Sequence, residues 1–278
     1  MKWSNREILK FLNKFIKLEK FKPVKNNKYG VKFPHMFGLY FFLNKIKPKF
    51  VVESGIYKGQ TTWLIEKTLP KAKILAIDIN LQSRTYISKS KNVKYSNIDF
   101  SSHNFEKIPR DSLVFFDDHQ NFYKRLQEAY FFGFKHVIFE DNYPPGRGDF
   151  YSLSHALNGA GSTGKKMSYK NILIVIYKIG LHLIKKKMNP NHNTFIDLYN
   201  WGLNGVAKNK QDFSNLKKVV EDFFIFPPIF KKNYTRWGDK WNLYKTKKPL
   251  LKEDKKTNYP KIYEEAETYN WITYVKLK

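Results

Sequence analysis

Phe50-Val51-Val52-Glu53-Ser54-Gly55-Ile56-Tyr57-Lys58-Gly59 is the stretch on which the reading of this chain turns. A short β-branched run ends in an acid, two glycines follow four apart, and Gln60-Thr61-Thr62-Trp63-Leu64-Ile65-Glu66 continues with helical character. Strand, tight turn and helix start, in that order, form the element that holds a nucleotide-like ligand at the edge of a parallel sheet. The next strand, Lys73-Ile74-Leu75-Ala76-Ile77-Asp78, also ends in an acid, 23 residues after Gly55, the spacing at which a carboxylate takes a ribose diol. Together the two elements point to an adenosine-containing ligand.

What is missing narrows that ligand. A nicotinamide or flavin site wants G-x-G-x-x-G, so that backbone amides close on a pyrophosphate, and a nucleoside triphosphate site wants G-x-x-x-x-G-K-[ST]. The turn has neither pattern. Glu53 stands where it would repel a pyrophosphate but would welcome the ammonium and sulfonium of S-adenosylmethionine. A bare Gly-x-x-x-Gly permits no more than a tight turn. Joined to Glu53, the helix and Asp78, it specifies a cofactor site.

At 278 residues the chain suits one α/β domain with accessory segments. It has no Cys, which excludes disulfides, thiolate zinc and a cysteine nucleophile. Met1-Lys2-Trp3-Ser4-Asn5-Arg6-Glu7 lacks the layout of a secretory signal, and no run of 18 uncharged apolar residues follows, so the expected location is the cytoplasm. The formal charge of +27 points towards nucleic acid or an anionic membrane, but only six of the 51 basic residues are Arg. Arg is the residue favoured for bidentate reading of bases and phosphates, so most of the Lys is read as a solvated surface and nucleic acid as the lesser partner.

Ser4-Asn5-Arg6-Glu7 is a capping box ahead of Ile8, Leu9, Leu12, Phe15 and Ile16 on one helical face. A second helix, 34–46, is apolar on nearly every side and therefore buried, and Lys47-Pro48 stops it. Strands at 50–54, 73–79, 93–98, 112–117 and 136–141, with helices at 59–69 and 120–132, predict a Rossmann-like, doubly wound α/β fold with a mainly parallel sheet. Gly133 ends the helix whose inner face is Phe122, Leu126 and Ala129. The expected organisation is an N-terminal helical cap over 1–48, a cofactor-binding core over 49–160, and a helical or irregular C-terminal extension over 161–278. In that extension, 159–166 reads as a linker. Tyr169 to Met188 reads as an apolar helix ending in Lys185-Lys186-Lys187, suited to core packing, to a homo-oligomer interface, or to the surface of an anionic membrane at its inner face.

The chemistry gathers where two strands end. Phe115-Phe116-Asp117-Asp118-His119-Gln120 and Phe139-Glu140-Asp141-Asn142 bring four carboxylates and an imidazole to the carboxyl edge of neighbouring strands. Such a cluster repels itself unless a cation or raised pKa values relieve it. Oxygen ligands suit Mg²⁺, Mn²⁺ or Ca²⁺. The alternative is that Asp117 caps a strand and Glu140 serves an isolated ion pair. The loop 142–149, at the carboxyl end of a strand, offers Arg147 and Asp149 to a substrate, and Thr235-Arg236-Trp237-Gly238-Asp239-Lys240-Trp241 offers Arg236 and Trp237, the stacking and hydrogen-bonding groups that sugars need.

Over about residues 50–155 the chain resembles class I S-adenosylmethionine-dependent methyltransferases. Within them it is similar to the metal-dependent sugar and natural-product group, which includes macrocin O-methyltransferase-like and rhamnosyl O-methyltransferase or cephalosporin hydroxylase-like proteins. The resemblance rests on Glu53, Gly55 and Gly59 for the methionine part, Asp78 for the ribose, Asp118-His119 after the fourth strand and Glu140-Asp141 after the fifth. It implies a cofactor set of Glu53, Gly55, Tyr57, Gly59, Thr61, Asp78, Asp99 and Asp117, and a divalent cation, Mg²⁺ or Mn²⁺, on Asp118, Glu140 and Asp141. The implied activity is O-methylation of a hydroxyl on a sugar, glycan or glycosylated small molecule, with Asp118 or His119 accepting the proton. His119 serves equally well as a structural imidazole tying the fourth strand to the next helix. Nucleic-acid methylation, metal-dependent chemistry other than methyl transfer, and a non-catalytic binding protein at a membrane surface are the competing readings.

Overall fold

The computed structural model describes residues 3–109, 111–143, 150–157, 173, 177, 184, 187, 210–230, 247–251, 262 and 271–278. Five strands run parallel, β1 (Phe50–Ser54), β2 (Lys73–Ile77), β3 (Val93–Ser96), β4 (Leu113–Phe116) and β5 (His136–Phe139), and all but the partly exposed edge strand β3 carry the near-continuous apolar runs that a doubly covered sheet needs. Val51, Val52 and Leu113 to Phe116 are completely buried. Two more strands, β6 (Val220–Ile225) and β7 (Thr273–Leu277), complete a seven-stranded sheet in the order β3-β2-β1-β4-β5-β7-β6, with β7 antiparallel to both neighbours. This is a Rossmann-like α/β fold with a mainly parallel sheet. The sequence pattern marked no strand after 141, so the two C-terminal strands are a finding of the structure.

The helices follow their sequence signals. In α1 (Asn5–Glu19), Ser4 Oγ accepts from the Glu7 amide at 3.2 Å, and Ile8, Leu12 and Phe15 face inward. Helix α2 (Phe33–Ile46) is buried from Phe33 through Leu43 and starts with Pro34 in its first turn. Lys47, at φ 51, closes it by donating to Leu43 O at 2.9 Å. Gly38 on α2 lies so close to the sheet that a Cβ there would sit 2.4 Å from Ile272 Cγ2. Trp3, Phe41, Phe42, Phe224 and Tyr274 form an aromatic cluster beside it, with ring centroids 5.0–6.2 Å apart. Helix α3 (Gln60–Thr68) follows the glycine turn, and α4 (Phe122–Phe131) ends at Gly133 (φ +82), where Phe134 N reaches Ala129 O at 3.0 Å.

The chain divides into two compact units, one made of residues 1–119, 124–142 and 219–278, the other of residues 120–123 and 143–218. In the described part of the second unit, α5 (Leu153–Leu157) is capped by Ser152, whose hydroxyl contacts His155 Nδ1 at 2.8 Å, and burial lowers the His155 pKa to about 4. Tyr151 Oη donates to Asp212 at 2.8 Å on α6 (Lys210–Val219). The expected linker at 159–166 lies outside the described residues, as does nearly all of Tyr169 to Met188, of which Leu173, Tyr177 and Ile184 are exposed. Among the described residues no helix is long and apolar enough to cross a membrane.

Candidate active site

Because β1, β2, β4 and β5 are parallel, the segments that follow them share one edge of the sheet. The turn after β1 needs its glycines. Gly55 (φ +96) and Gly59 (φ +85) both occupy the left-handed region, and a Cβ on Gly55 would lie 2.2 Å from Asp117 O. The backbones after β1 and β4 therefore touch, and only hydrogen fits between them.

Asp78 shapes this turn from β2. Its Oδ2 accepts from the Ile56 and Tyr57 amides at 2.9 and 2.8 Å, and its Oδ1 accepts from Asn80 N at 2.9 Å. Tyr57 is held at φ 49. Glu53 stands on β1, ahead of the turn. It is fully buried, and its two oxygens accept from the Thr61 and Thr62 hydroxyls in the first turn of α3. Burial raises its pKa to about 7, the two hydroxyls oppose that shift, and the Asp78 charge adds to it. Thr61, expected at the cofactor, is thus engaged with Glu53.

At the other end of the edge the carboxylates meet cations. Asp118 Oδ2 accepts from Ser54 Oγ at 2.8 Å and from Arg125 Nε at 2.9 Å. Arg125 also forks onto Asp99, with Nη1 and Nη2 donating to its two oxygens at 3.0 and 2.6 Å, and it reaches Glu128 at 2.9 Å. These hydrogen bonds hold the Asp99 carboxyl well below the usual carboxylate range. His35 Nδ1, from α2, contacts Glu140 Oε1 and lies 3.9 Å from Asp141 Oδ1. One ligand atom from each of His35, Glu140 and Asp141 falls within 4.8 Å of the others, with His35 and Glu140 buried. Among the described residues this is the group whose ligand atoms converge closely enough to hold a metal ion, and it contains Glu140 and Asp141 of the expected set together with His35, while Asp118 is bonded to Ser54 and Arg125. Asp117 beside it is driven well above its ordinary pKa, by burial first and by the Glu140 charge second, against the pull of His119. His119 itself is exposed at φ 52.

Sequence reasoning missed His35 and Arg125. Each had a signal: His35 is a histidine inside the most apolar of the described helices, and Arg125 shares the buried face of α4 with Phe122, Leu126 and Ala129. Arg147, Asp149, Arg236 and Trp237 lie outside the described residues.

No family model and no curated protein matches the sequence. Solved structures do resemble it. CmcI with SAH aligns at a TM-score of 0.38 and 14 % identity, over 50 % of this chain and 77 % of that one. CmcI with Mg and SAM aligns at 0.35 and 20 %, over 44 % and 58 %. Human N-acetylserotonin methyltransferase in complex with SAM aligns at 0.34 and 11 %, over 80 % and 53 %. The chain thus spans less than two thirds of two of these three, and the functional reading rests on the geometry of the site.

Proposed function

We propose that the protein is an S-adenosylmethionine-dependent O-methyltransferase that acts on a sugar or glycan hydroxyl with the help of a divalent cation. The observation that supports this best is one shared sheet edge. The glycine turn and Asp78 stand at the ends of β1 and β2, and His35, Glu140 and Asp141 gather at the end of β5.

The turn fits an adenosine ligand without a pyrophosphate. Gly55 and Gly59 give the close backbone approach, Asp78 and Asp99 supply acceptors for hydroxyl and amino groups, and a phosphate would meet carboxylates here. When bound, S-adenosylmethionine would supply a methyl group on a positively charged sulfur. The donor set of one imidazole and two carboxylates fits a first-row divalent ion such as Mn²⁺ better than Mg²⁺, because nitrogen is the softer ligand. Bound there, such an ion would lower the pKa of an acceptor hydroxyl. Asp118 is oriented by Ser54 and Arg125, and with the exposed His119 next to it supplies the candidate proton acceptor.

The test is transfer of a labelled methyl group to a panel of sugars and glycosylated compounds, with and without chelator. Transfer that stops in chelator and returns with Mn²⁺ is the expected result. Full transfer in excess chelator would remove the metal from the reading and leave His119 as the main base. Absence of S-adenosylmethionine binding by calorimetry would remove the whole reading.

A further inference from the structure

The sheet edge opposite the candidate site has a character of its own. β1, β2 and β3 are parallel, so the residues just before them share one amino edge, with neighbouring strands about 4.8 Å apart. Lys49 O accepts from Lys73 N at 2.9 Å and Asn92 O accepts from Ile74 N at 2.8 Å, which puts Lys49, Lys73 and Lys91 at three adjoining strand entries. Lys47 closes α2 on the way into β1, and Lys67, in the last turn of α3, and Lys71 lead into β2. All six lysines are exposed.

These charges are not balanced locally. Among the described residues none of the six forms an ion pair, although Lys45 on α2 is held by Glu7 and Lys276 on β7 by Glu221. Asp111, exposed before β4 and beside Lys49 in the register, bounds the row on one side. Like charges crowded in this way set up a positive field that a layer of anionic groups relieves. Being Lys, they are point charges suited to a diffuse headgroup layer rather than to bidentate reading of one phosphate or base. The other half of the same edge adds an apolar group. α4 runs back between the parallel strands β4 and β5, so its end reaches the amino edge, and there Phe131 is 85 % exposed and Tyr130 42 %. A ring left that bare in water gains by entering a lipid interface, and lysines together with an exposed aromatic residue make a surface that lies on a bilayer.

We propose that the amino edge of the sheet is a docking surface for an anionic lipid bilayer, with the six lysines supplying the attraction and Phe131 the insertion. The candidate active site, at the carboxyl edge, then stands on the side away from the lipid. The inference is independent of the methyl-transfer reading and of Tyr169 to Met188, which the variants below leave intact.

The probes are vesicles of phosphatidylcholine alone and of phosphatidylcholine mixed with phosphatidylglycerol, sedimented with the full chain. The chain should bind the mixed vesicles, leave the neutral ones, and come off at high salt. Lys49→Gln, Lys71→Gln and Lys73→Gln together should weaken that binding roughly 30-fold or more, a few-fold for each lysine near a charged surface. Lys14→Gln, Lys17→Gln and Lys20→Gln remove the same charge from the far end of α1, which lies towards the other edge because Phe15 packs on Phe33 and Phe37 while Glu7 reaches Lys45. This second triple variant should change the binding by less than about threefold. Phe131→Ser should weaken it roughly tenfold and leave the salt dependence as it was. Every position changed is exposed, so the variants should keep the wild-type melting temperature. Equal losses in the two triple variants would assign the binding to net charge and overturn the inference, as would equal binding to neutral vesicles. A wild type that leaves the mixed vesicles also overturns it, and retention of duplex DNA through the same lysines would then give the surface to nucleic acid.

Discussion

The two ends of the candidate site handle negative charge in opposite ways. At the β1–β2 end, Glu53 and Asp78 are satisfied by neutral donors: two threonine hydroxyls for one, three backbone amides for the other. At the β4–β5 end, Asp118 and Glu140 lean on Arg125 and His35, while Asp117 feels repulsion from Glu140 and Asp141 against attraction from His119 and His35. Neutral donors complete a structure by themselves. Charge pairs hold the second end instead, so the first end is built for shape and the second for charge.

The largest effect should come from breaking the charged end. Glu140→Gln removes one of the three converging ligands and is expected to lower turnover by roughly 10²–10⁴-fold, the range for loss of a group acting directly in proton or metal chemistry. The affinity for S-adenosylmethionine should stay within about threefold, because Glu140 stands at the end of β5 and not in the glycine turn. Steady-state rates beside calorimetry check this. A parallel loss of cofactor affinity would mean that the two ends are not separable.

Breaking the shape of the first end should show in stability. Gly55→Ala combines a disfavoured φ of +96 with a Cβ 2.2 Å from Asp117 O, for a loss of about 4 kcal/mol from strain and clash together. Gly133→Ala has a similar φ but nothing within 4 Å, and should cost only about 1 kcal/mol. Denaturant unfolding of the two variants isolates the close approach of the β1 and β4 backbones from the price of the dihedral.

Glu53 gives the first end a pH signature. Its carboxyl titrates at about 7 in the folded protein against 4.5 ordinarily, so the native state holds the proton more firmly than the unfolded chain. Its contribution is complete below pH 4.5 and is lost as pH rises through 7, by about 3 kcal/mol in total. Glu53→Gln is neutral at every pH and still meets the threonine hydroxyls. Relative to the wild type it should gain stability steadily between pH 4.5 and 7. A constant difference between the two across that window would place the charge of Glu53 in a better-solvated setting than its burial implies.

The same contrast explains what the sequence discloses. The first end is local: Gly55, Gly59 and the capping box at Ser4 act within a few residues, so spacing alone reveals them. The charged end is assembled from afar. His35 meets Glu140 across 105 positions, and Arg125 chooses Asp99 across 26, and no periodicity records such choices. The last two strands were hidden for related reasons. β6 follows α6 without an intervening turn, Glu221 and Asp222 interrupt its apolar pattern, and β7 finds β5 only through tertiary pairing, Ile138 beside Tyr274.

The smallest effect expected is also the one that tests the distinction most directly. Asp78→Asn retains an oxygen that can accept from the Ile56 and Tyr57 amides, but its amide nitrogen cannot accept from Asn80 N, and the charge on the turn is gone. Its hydrogen-bond partners are all neutral, so the variant should lose about 1 kcal/mol of stability, the net worth of one hydrogen bond together with weakened neighbours, less whatever is regained from lost repulsion with Glu53. Asp118→Asn removes a charge from a buried guanidinium and should cost more, since the charged partner stays behind. Thermal unfolding of both at low and moderate salt decides the matter: the loss at Asp78 should depend less on ionic strength than the loss at Asp118, because no favourable charge pair was removed. A loss at Asp78 that equals the loss at Asp118 would erase the line between an end built for shape and an end built for charge.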